Sequence, residues 1–264
     1  MSCLHTTIVG IGLLGPGLPD WASGQAPLRD AAAWQNKPTE VPAPQRLPAT
    51  ERRRAGNVVK ASIVVADQAL AMAGLDATTL ATVFTSSTGD PLNCHLLCEA
   101  LAAAEPVVSP TRFTNSVHNA PAGYWHIAAA SRAPSTSLAA FDASFAAGLL
   151  EAAVQCAATG APVLLVAADV PYPEPLHAVR PVADVMAVAL LLAPSAGAGR
   201  GLSLEVTSAA PATPCGEPAF EALRQGIPAA RALPLLQALA LPDAATLVLE
   251  GLPGMGLVLR VAAA

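Results

Sequence analysis

The sequence has little charge, no long apolar run and no export signal. Charged residues make up 12% of the 264 residues and the formal net charge is −5, which argues against a nucleic acid as the main ligand. The longest apolar run, residues 185–193, is far shorter than the ~20 residues that a membrane-spanning helix needs. Because the N-terminus shows neither a basic segment nor a cleavage site, we expect a cytoplasmic protein without a membrane span.

Cysteines are few, odd in number and scattered, which is typical of reduced cytoplasmic thiols. They are Cys3, Cys94, Cys98, Cys156 and Cys215. Cys94 and Cys98 share a face of a predicted helix with His95 beside them, but no second Cys/His pair with zinc spacing follows. We therefore expect no metal and no cofactor, and interpret these cysteines as small buried residues.

Apolar residues are abundant, at 53% of the chain with a mean hydropathy of +0.48. In a chain without a membrane span, this composition indicates a sheet covered on both faces and a large interface with a partner subunit. Buried strands alternate with helices, which predicts an α/β layered domain. We predict strands over residues 6–14, 82–86, 136–141, 162–169, 185–192, 202–206, 246–250 and 256–261. We predict helices over residues 58–73, 91–104, 144–159 and 217–240, the last broken at Pro228 and Pro234.

Three short motifs each allow a structural and a functional interpretation. Gly10, Gly12 and Gly15 match a dinucleotide fingerprint, but prolines follow where a helix should begin, so we favour a tight turn. The run Arg52-Arg53-Arg54 is either a solvated approach to a helix or a docking patch for an acidic partner. Two histidines, His118 and His126, flank a predicted turn over residues 119–123, and we favour structural roles for both.

Residues 113–150 form the most informative stretch, because they resemble the nucleophile region of the β-ketoacyl synthases of the thiolase fold. Asn119 and Gly123 fit the family's N-x-x-x-G motif, Pro134-Ser135 fits the following turn, and residues 137–140 fit the short strand before the reactive cysteine. Continued without a gap, the cysteine position falls on Asp142.

The resemblance covers residues 1 to about 210 in order and implies a fold. That fold is a thiolase-like layered α-β-α arrangement with a complete N-terminal half over residues 1–210. Residues 211–264 would form a truncated C-terminal helix and strand pair that complete the same domain.

The departures from the family decide the expected function. A ketosynthase uses a cysteine and two histidines from its C-terminal half. Here Asp142 stands at the cysteine position, and the last histidine is His177. The resemblance therefore implies a non-catalytic partner of chain-length-factor type, similar to the short ketosynthase-like proteins of aryl-polyene clusters. Its partners would be a complete ketosynthase and an acyl carrier protein bearing polyene, polyketide or fatty acyl chains.

The resemblance also suggests which residues carry the function. The dimer contact is expected over residues 111–125 and 136–141, and Phe113 and Val117 are expected to limit chain length. The tunnel and interface residues are Phe113, Val117, His118, Asn119, Gly123 and Phe141. Carrier docking is assigned to Arg52, Arg53 and Arg54.

Two alternatives to a chain-length-factor role remain open, and the first involves Ser144. It lies two residues after Asp142 at the start of a predicted helix, where either residue could be the N-cap. Ser144 could instead be the nucleophile of an acyl-thioester hydrolase or acyltransferase, or the vestigial pocket could serve a decarboxylase. A homodimeric module that binds acyl carriers is the third interpretation.

Overall fold

A computed structural model describes residues 3–194, 199–208 and 210–264 of the chain. The strands are β1 (Leu4–Leu14), β2 (Ala81–Thr85), β3 (Ser135–Leu138), β4 (Val163–Asp169), β5 (Met186–Pro194), β6 (Arg200–Ser208), β7 (Ala245–Glu250) and β8 (Met255–Val261). The helices are α1 (Trp21–Arg29), α2 (Ala49–Arg54), α3 (Asn57–Ala73), α4 (Pro91–Ala102), α5 (Pro110–Thr114), α6 (Ala120–Ala129), α7 (Ser144–Thr159), α8 (Pro218–Gly226) and α9 (Leu233–Ala240). Short 3-10 turns include Phe141–Ala143 and Pro228–Ala232. None of the helices in this described part is long and apolar enough to cross a membrane.

All eight strands belong to one sheet in the order β3-β2-β4-β5-β1-β6-β8-β7. The β2–β3 and β2–β4 pairs are parallel, and every other neighbouring pair is antiparallel. The central strands β4 and β5 are almost wholly apolar and buried, as expected for strands covered on both faces. The alternating α/β pattern therefore produces a single mixed sheet.

Helices cover both faces of this sheet and make three layers. One apolar core lies under α1, α7, α8 and α9, and the other lies under α3 and α6. Successive β5 side chains alternate between the cores: Val188 and Leu190 enter the first, and Ala189 and Leu191 the second. The layered α-β-α prediction is confirmed.

The glycines of the G-x-G-x-x-G motif serve helix packing. A Cβ at Gly12 would lie 1.9 Å from the carbonyl oxygen of Val65, and one at Gly10 would lie 2.2 Å from that of Ala69. Both glycines therefore let the α3 backbone approach β1 closely. The expected turn begins only at Gly15, which pairs with Leu18.

Three sequence predictions need correction. The strand predicted over residues 136–141 ends at Leu138, because residues 139–140 leave the sheet and Phe141 begins a 3-10 turn. The turn predicted over residues 119–123 is the first turn of α6, whose Pro121 occupies a position where helices tolerate proline. In the C-terminal helical segment the break at Pro228 is confirmed, but Pro234 lies in the first turn of α9 and does not interrupt it.

The C-terminal residues extend the same sheet. Strand β6 pairs with β1 on one side and β8 on the other, so β7 and β8 continue outward from the central strands. Side chains of α8 and α9, such as Phe220 and Leu236, are fully buried in the core beneath α7.

Candidate functional site at the carboxyl ends of the parallel strands

The candidate site lies where β2, β3 and β4 end. These neighbouring strands are mutually parallel, so their carboxyl ends meet at one edge of the sheet. The segments that follow them carry Ser86 and Ser87 after β2 and Phe141 and Asp142 after β3, and β4 ends on Asp169.

The turn after β3 holds Phe141 in an unusual backbone conformation. Its φ angle is +52°, in the left-handed region that costs a non-glycine residue roughly 1–2 kcal/mol. The residue is 61% exposed, so burial within this chain offsets little of that cost. The turn runs directly into α7 at Ser144.

Ser144 closes this turn through its own backbone neighbours. Its hydroxyl accepts a hydrogen bond from the Ala140 amide at 3.0 Å and donates one to the Phe141 carbonyl at 2.7 Å. The side chain is buried, and its hydrogen-bond partners are main-chain groups with no imidazole among them. The N-cap prediction for Asp142 or Ser144 is wrong: the N-cap of α7 is Ala143, because the preceding 3-10 turn merges with the helix.

Two arginines bind the carboxylate of Asp142. Arg180 Nη2 lies 2.5 Å from Asp142 Oδ1, and Arg231 Nη2 lies 3.2 Å from Oδ2. The Arg180 guanidinium also stacks on Phe141, with 3.7 Å between its central carbon and the ring centroid. Arg231 pairs in addition with Glu250. These contacts join the turn after β3 to the segment after β4, to the Pro228–Ala232 turn and to β7.

A second carboxylate, Asp169, is buried at the end of β4. Its Oδ1 accepts hydrogen bonds from the Ser87 amide at 2.8 Å, the Ser87 hydroxyl at 2.7 Å and the Ser86 hydroxyl at 3.2 Å. Burial raises the pKa of Asp169, whereas the bonds from the serines and from the Ala229 amide oppose that rise. Asp169 therefore ties the end of β2 to the Pro228–Ala232 turn.

His118 lies beside the end of β2, and His126 lies beside β3. His118 Nε2 is 3.1 Å from the Ser86 carbonyl oxygen. His126 lines a groove of about 440 Å³ between α6 and β3, together with Asn119, Gly123 and Ser137 among others. Neither histidine is hydrogen-bonded to a cysteine or serine side chain within the described residues.

Much of the expected interface is exposed. Phe113 is 68% and Val117 is 52% exposed, and Asn119 and Gly123 are also exposed. Strand β3 is the last strand on its side of the sheet, so its outer edge has no partner strand in the described part of the chain. Trp125, in contrast, is fully buried and belongs to the core.

The remaining sequence candidates lie elsewhere. The arginine run forms the last turn of α2, where Arg52 binds the Gln45 side chain at 3.2 Å and Arg54 pairs with Glu51 at 3.4 Å. Arg53 is exposed and makes no ion pair with any residue that the structure describes. Cys94 and Cys98 are exposed on α4, contrary to the burial that we expected.

Sequence reasoning missed Arg180, Arg231 and Asp169. Neither arginine lies in a motif, and each reaches Asp142 only through the tertiary fold. Asp169 left a weak signal, because an acidic residue ends an otherwise apolar strand and such a residue is rarely buried without partners.

Known proteins resemble the chain over almost its whole length. A sequence profile described as the N-terminal domain of β-ketoacyl synthase matches residues 21–241. No curated protein sequence matches significantly.

The solved structures that are similar to the chain include three ketosynthase complexes. One is the ketosynthase ApeO in complex with its chain length factor ApeC from Xenorhabdus doucetiae, with 25% identity and a TM-score of 0.75 over 97% of this chain and 99% of that chain. The ishigamide ketosynthase/chain length factor has 15% identity and a TM-score of 0.73 over 98% of this chain and 99% of that chain. AntDE:AntF, a type II PKS acyl-carrier protein in complex with its ketosynthase, has 11% identity and a TM-score of 0.77 over 100% of both chains. The last two similarities concern the fold alone.

Proposed function

This chain belongs to the family of β-ketoacyl synthase N-terminal domains, and we propose from that premise that it is a non-catalytic partner of an active ketosynthase. Its role is that of a chain length factor in carrier-protein-dependent elongation of polyene, polyketide or fatty acyl chains. The observation that carries the proposal is the turn after β3, where Asp142 is bound by Arg180 and Arg231.

The chemistry of this turn opposes acyl transfer. An ionised carboxylate is a poor nucleophile toward a thioester, and its charge would repel the oxyanion that forms in condensation. Both oxygens of Asp142 are already engaged by arginines, so they are not free to attack a substrate. We propose that Asp142 marks the family's nucleophile position and that the chain does not catalyse condensation by itself.

The partner contact that we propose is the open edge of β3 with the adjacent α5–α6 segment. An unpaired edge strand offers backbone donors and acceptors to a second chain, and exposed apolar side chains next to it add burial. Phe113, Val117 and Phe141 are the exposed apolar side chains that we assign to this contact. Asn119 and Gly123 line the groove beside β3, and we assign the half-buried His118 to the same contact. The complex of ApeO with its chain length factor ApeC supports the pairing of this chain with a ketosynthase.

Phe113 and Val117 are proposed to limit the length of the acyl chain. Both project from the surface that would meet the ketosynthase, where a side chain can close the end of a tunnel in the partner.

The acyl carrier protein would dock on Arg52, Arg53 and Arg54, because Arg53 is a free cation among the described residues and a cationic patch suits an acidic partner. Residues 211–264 are proposed to complete the same domain, as their strands join the central sheet. We propose that the protein acts in the cytoplasm and without a cofactor.

Co-expression with a complete ketosynthase that carries the catalytic cysteine and both histidines tests the proposal. We expect the two proteins to co-purify as a 1:1 heterodimer, and the Phe113→Ala variant to shift the products toward longer acyl chains. Met72→Ala is the matched control, since Met72 is 55% exposed near the end of α3, outside the proposed interface. A homodimer that does not bind the ketosynthase, or an unchanged product distribution for Phe113→Ala, contradicts the proposal.

A further inference from the structure

Phe141 combines a left-handed backbone with an exposed ring. Among the described residues, Ala130 is the other non-glycine residue with a positive φ, and it occupies a helix C-cap, where that conformation is common. A C-cap position does not explain the positive φ of Phe141, because this residue begins a 3-10 turn. Strained residues of this kind persist where the surrounding structure over-determines them, and they cluster at functional sites.

The contacts around Phe141 explain how the conformation persists. Arg180 stacks on the ring at 3.7 Å and binds Asp142 in the same turn, so one guanidinium holds both neighbouring residues. Ser144 holds the backbone on the other side through the Phe141 carbonyl. The side chain of Arg180 is only 22% exposed, so little freedom is left to the stack.

Charge balance defines what this surface can bind. The connected ion pairs hold three negative and three positive charges, because Arg224 lies 4.0 Å from Glu250 and also pairs with Glu221. The other members are Asp142, Arg180 and Arg231. Because the arginines are already paired, the cluster is not an anion site. Arg180 covers one face of the Phe141 ring, and most of this apolar residue remains exposed, which suits an apolar pocket.

We infer that Arg180 and Asp142 are positioning residues that hold the Phe141 ring ready to insert into an apolar pocket of the partner ketosynthase. This inference rests on the proposed function. Phe141 lies three residues after Leu138, the end of the open edge strand, so the ring continues the surface that the partner would cover. An anchor that is rigid before binding loses less conformational entropy on association, and buried aromatic anchors dominate interface affinity.

The Phe141→Gly variant separates anchoring from folding. Glycine adopts a positive φ without steric cost, and the lost ring is mostly exposed, so we expect the isolated chain to keep its melting temperature to within about 2 °C. Its affinity for the partner ketosynthase should fall at least tenfold. A purely structural role predicts the opposite, namely lower stability with unchanged affinity.

A double-mutant cycle tests the positioning role. Arg180→Met should weaken the heterodimer about tenfold in the wild-type background and have little further effect in the Phe141→Gly background. Arg260→Met is the matched control, because Arg260 pairs with Glu205 at 3.2 Å on the distant β6–β8 strands and should leave affinity unchanged. The four variants are compared by dilution of the co-expressed heterodimer, which needs no isolated chain.

The outcomes distinguish the two proposals. Wild-type affinity for Phe141→Gly, or an equal loss from Arg180→Met in both backgrounds, overturns the inference and leaves the proposed function intact. Failure of the wild-type chain to bind the ketosynthase overturns both.

Discussion

Replacing Asp142 with asparagine should destabilise the protein through its arginines. The substitution keeps the shape of the side chain but removes the charge that binds Arg180 and Arg231, whose side chains are only 22% and 14% exposed. Arg231 retains Glu250, whereas Arg180 loses its single ion pair within the described part of the chain. Leaving a charge without its partner costs 3–5 kcal/mol when it is fully buried and little at the surface. Because Asp142 itself is 33% exposed, we expect a loss of about 1–3 kcal/mol.

Thermal and urea unfolding measure this loss. For a chain of this length each kcal/mol corresponds to roughly 2–4 °C, so Asp142→Asn should lower the melting temperature by about 2–12 °C. Glu205→Gln is the matched control, because its partner Arg260 is 51% exposed and the pair should contribute little. If Asp142→Asn costs no more than Glu205→Gln, the arginine cluster does not stabilise the turn and our reasoning about this site is refuted.

Two further predictions concern packing and pH. Gly12→Ala should prevent folding to a soluble protein, because its Cβ would meet the Val65 carbonyl at 1.9 Å. Gly123→Ala is the control and should be neutral, because no atom lies within 4 Å of its Cβ position. The two variants are compared by soluble yield and melting temperature. The Arg224 guanidinium lowers the pKa of Glu221 to about 2, so this pair should stabilise the fold above the ordinary glutamate pKa of about 4.3 and lose that contribution as the pH falls toward 2. Glu221→Gln should therefore flatten the acid limb of the curve of unfolding free energy against pH, and an unchanged limb would contradict the assignment.

Local pattern was sufficient to predict most of the sheet. Strands β4 and β5 are continuous apolar runs, and α7 shows an apolar stripe that ends at Gly160, which adopts a left-handed cap. Helix α6 was missed because Ala-Pro-Ala-Gly is typical of a turn, although proline is acceptable in the first turn of a helix.

The candidate site could be predicted only in part. The position of Asp142 follows from residues near it in the sequence, but Arg180 is 38 positions away and lies in a segment without regular pattern. The left-handed backbone of Phe141 carries no sequence signal, since glycine would be the residue expected there. Such contacts depend on how β3, β4 and the Pro228–Ala232 turn meet at one edge of the sheet.

The central claim is that this chain supports condensation without catalysing it. Acyl and malonyl carrier proteins are incubated with the isolated chain, with the co-purifying ketosynthase, and with the two together. Mass spectrometry of the elongated products then tests that claim. We predict no elongation by this chain alone and full-length products only from the heterodimer. Elongation by this chain alone, or identical products from the ketosynthase without it, would contradict the account.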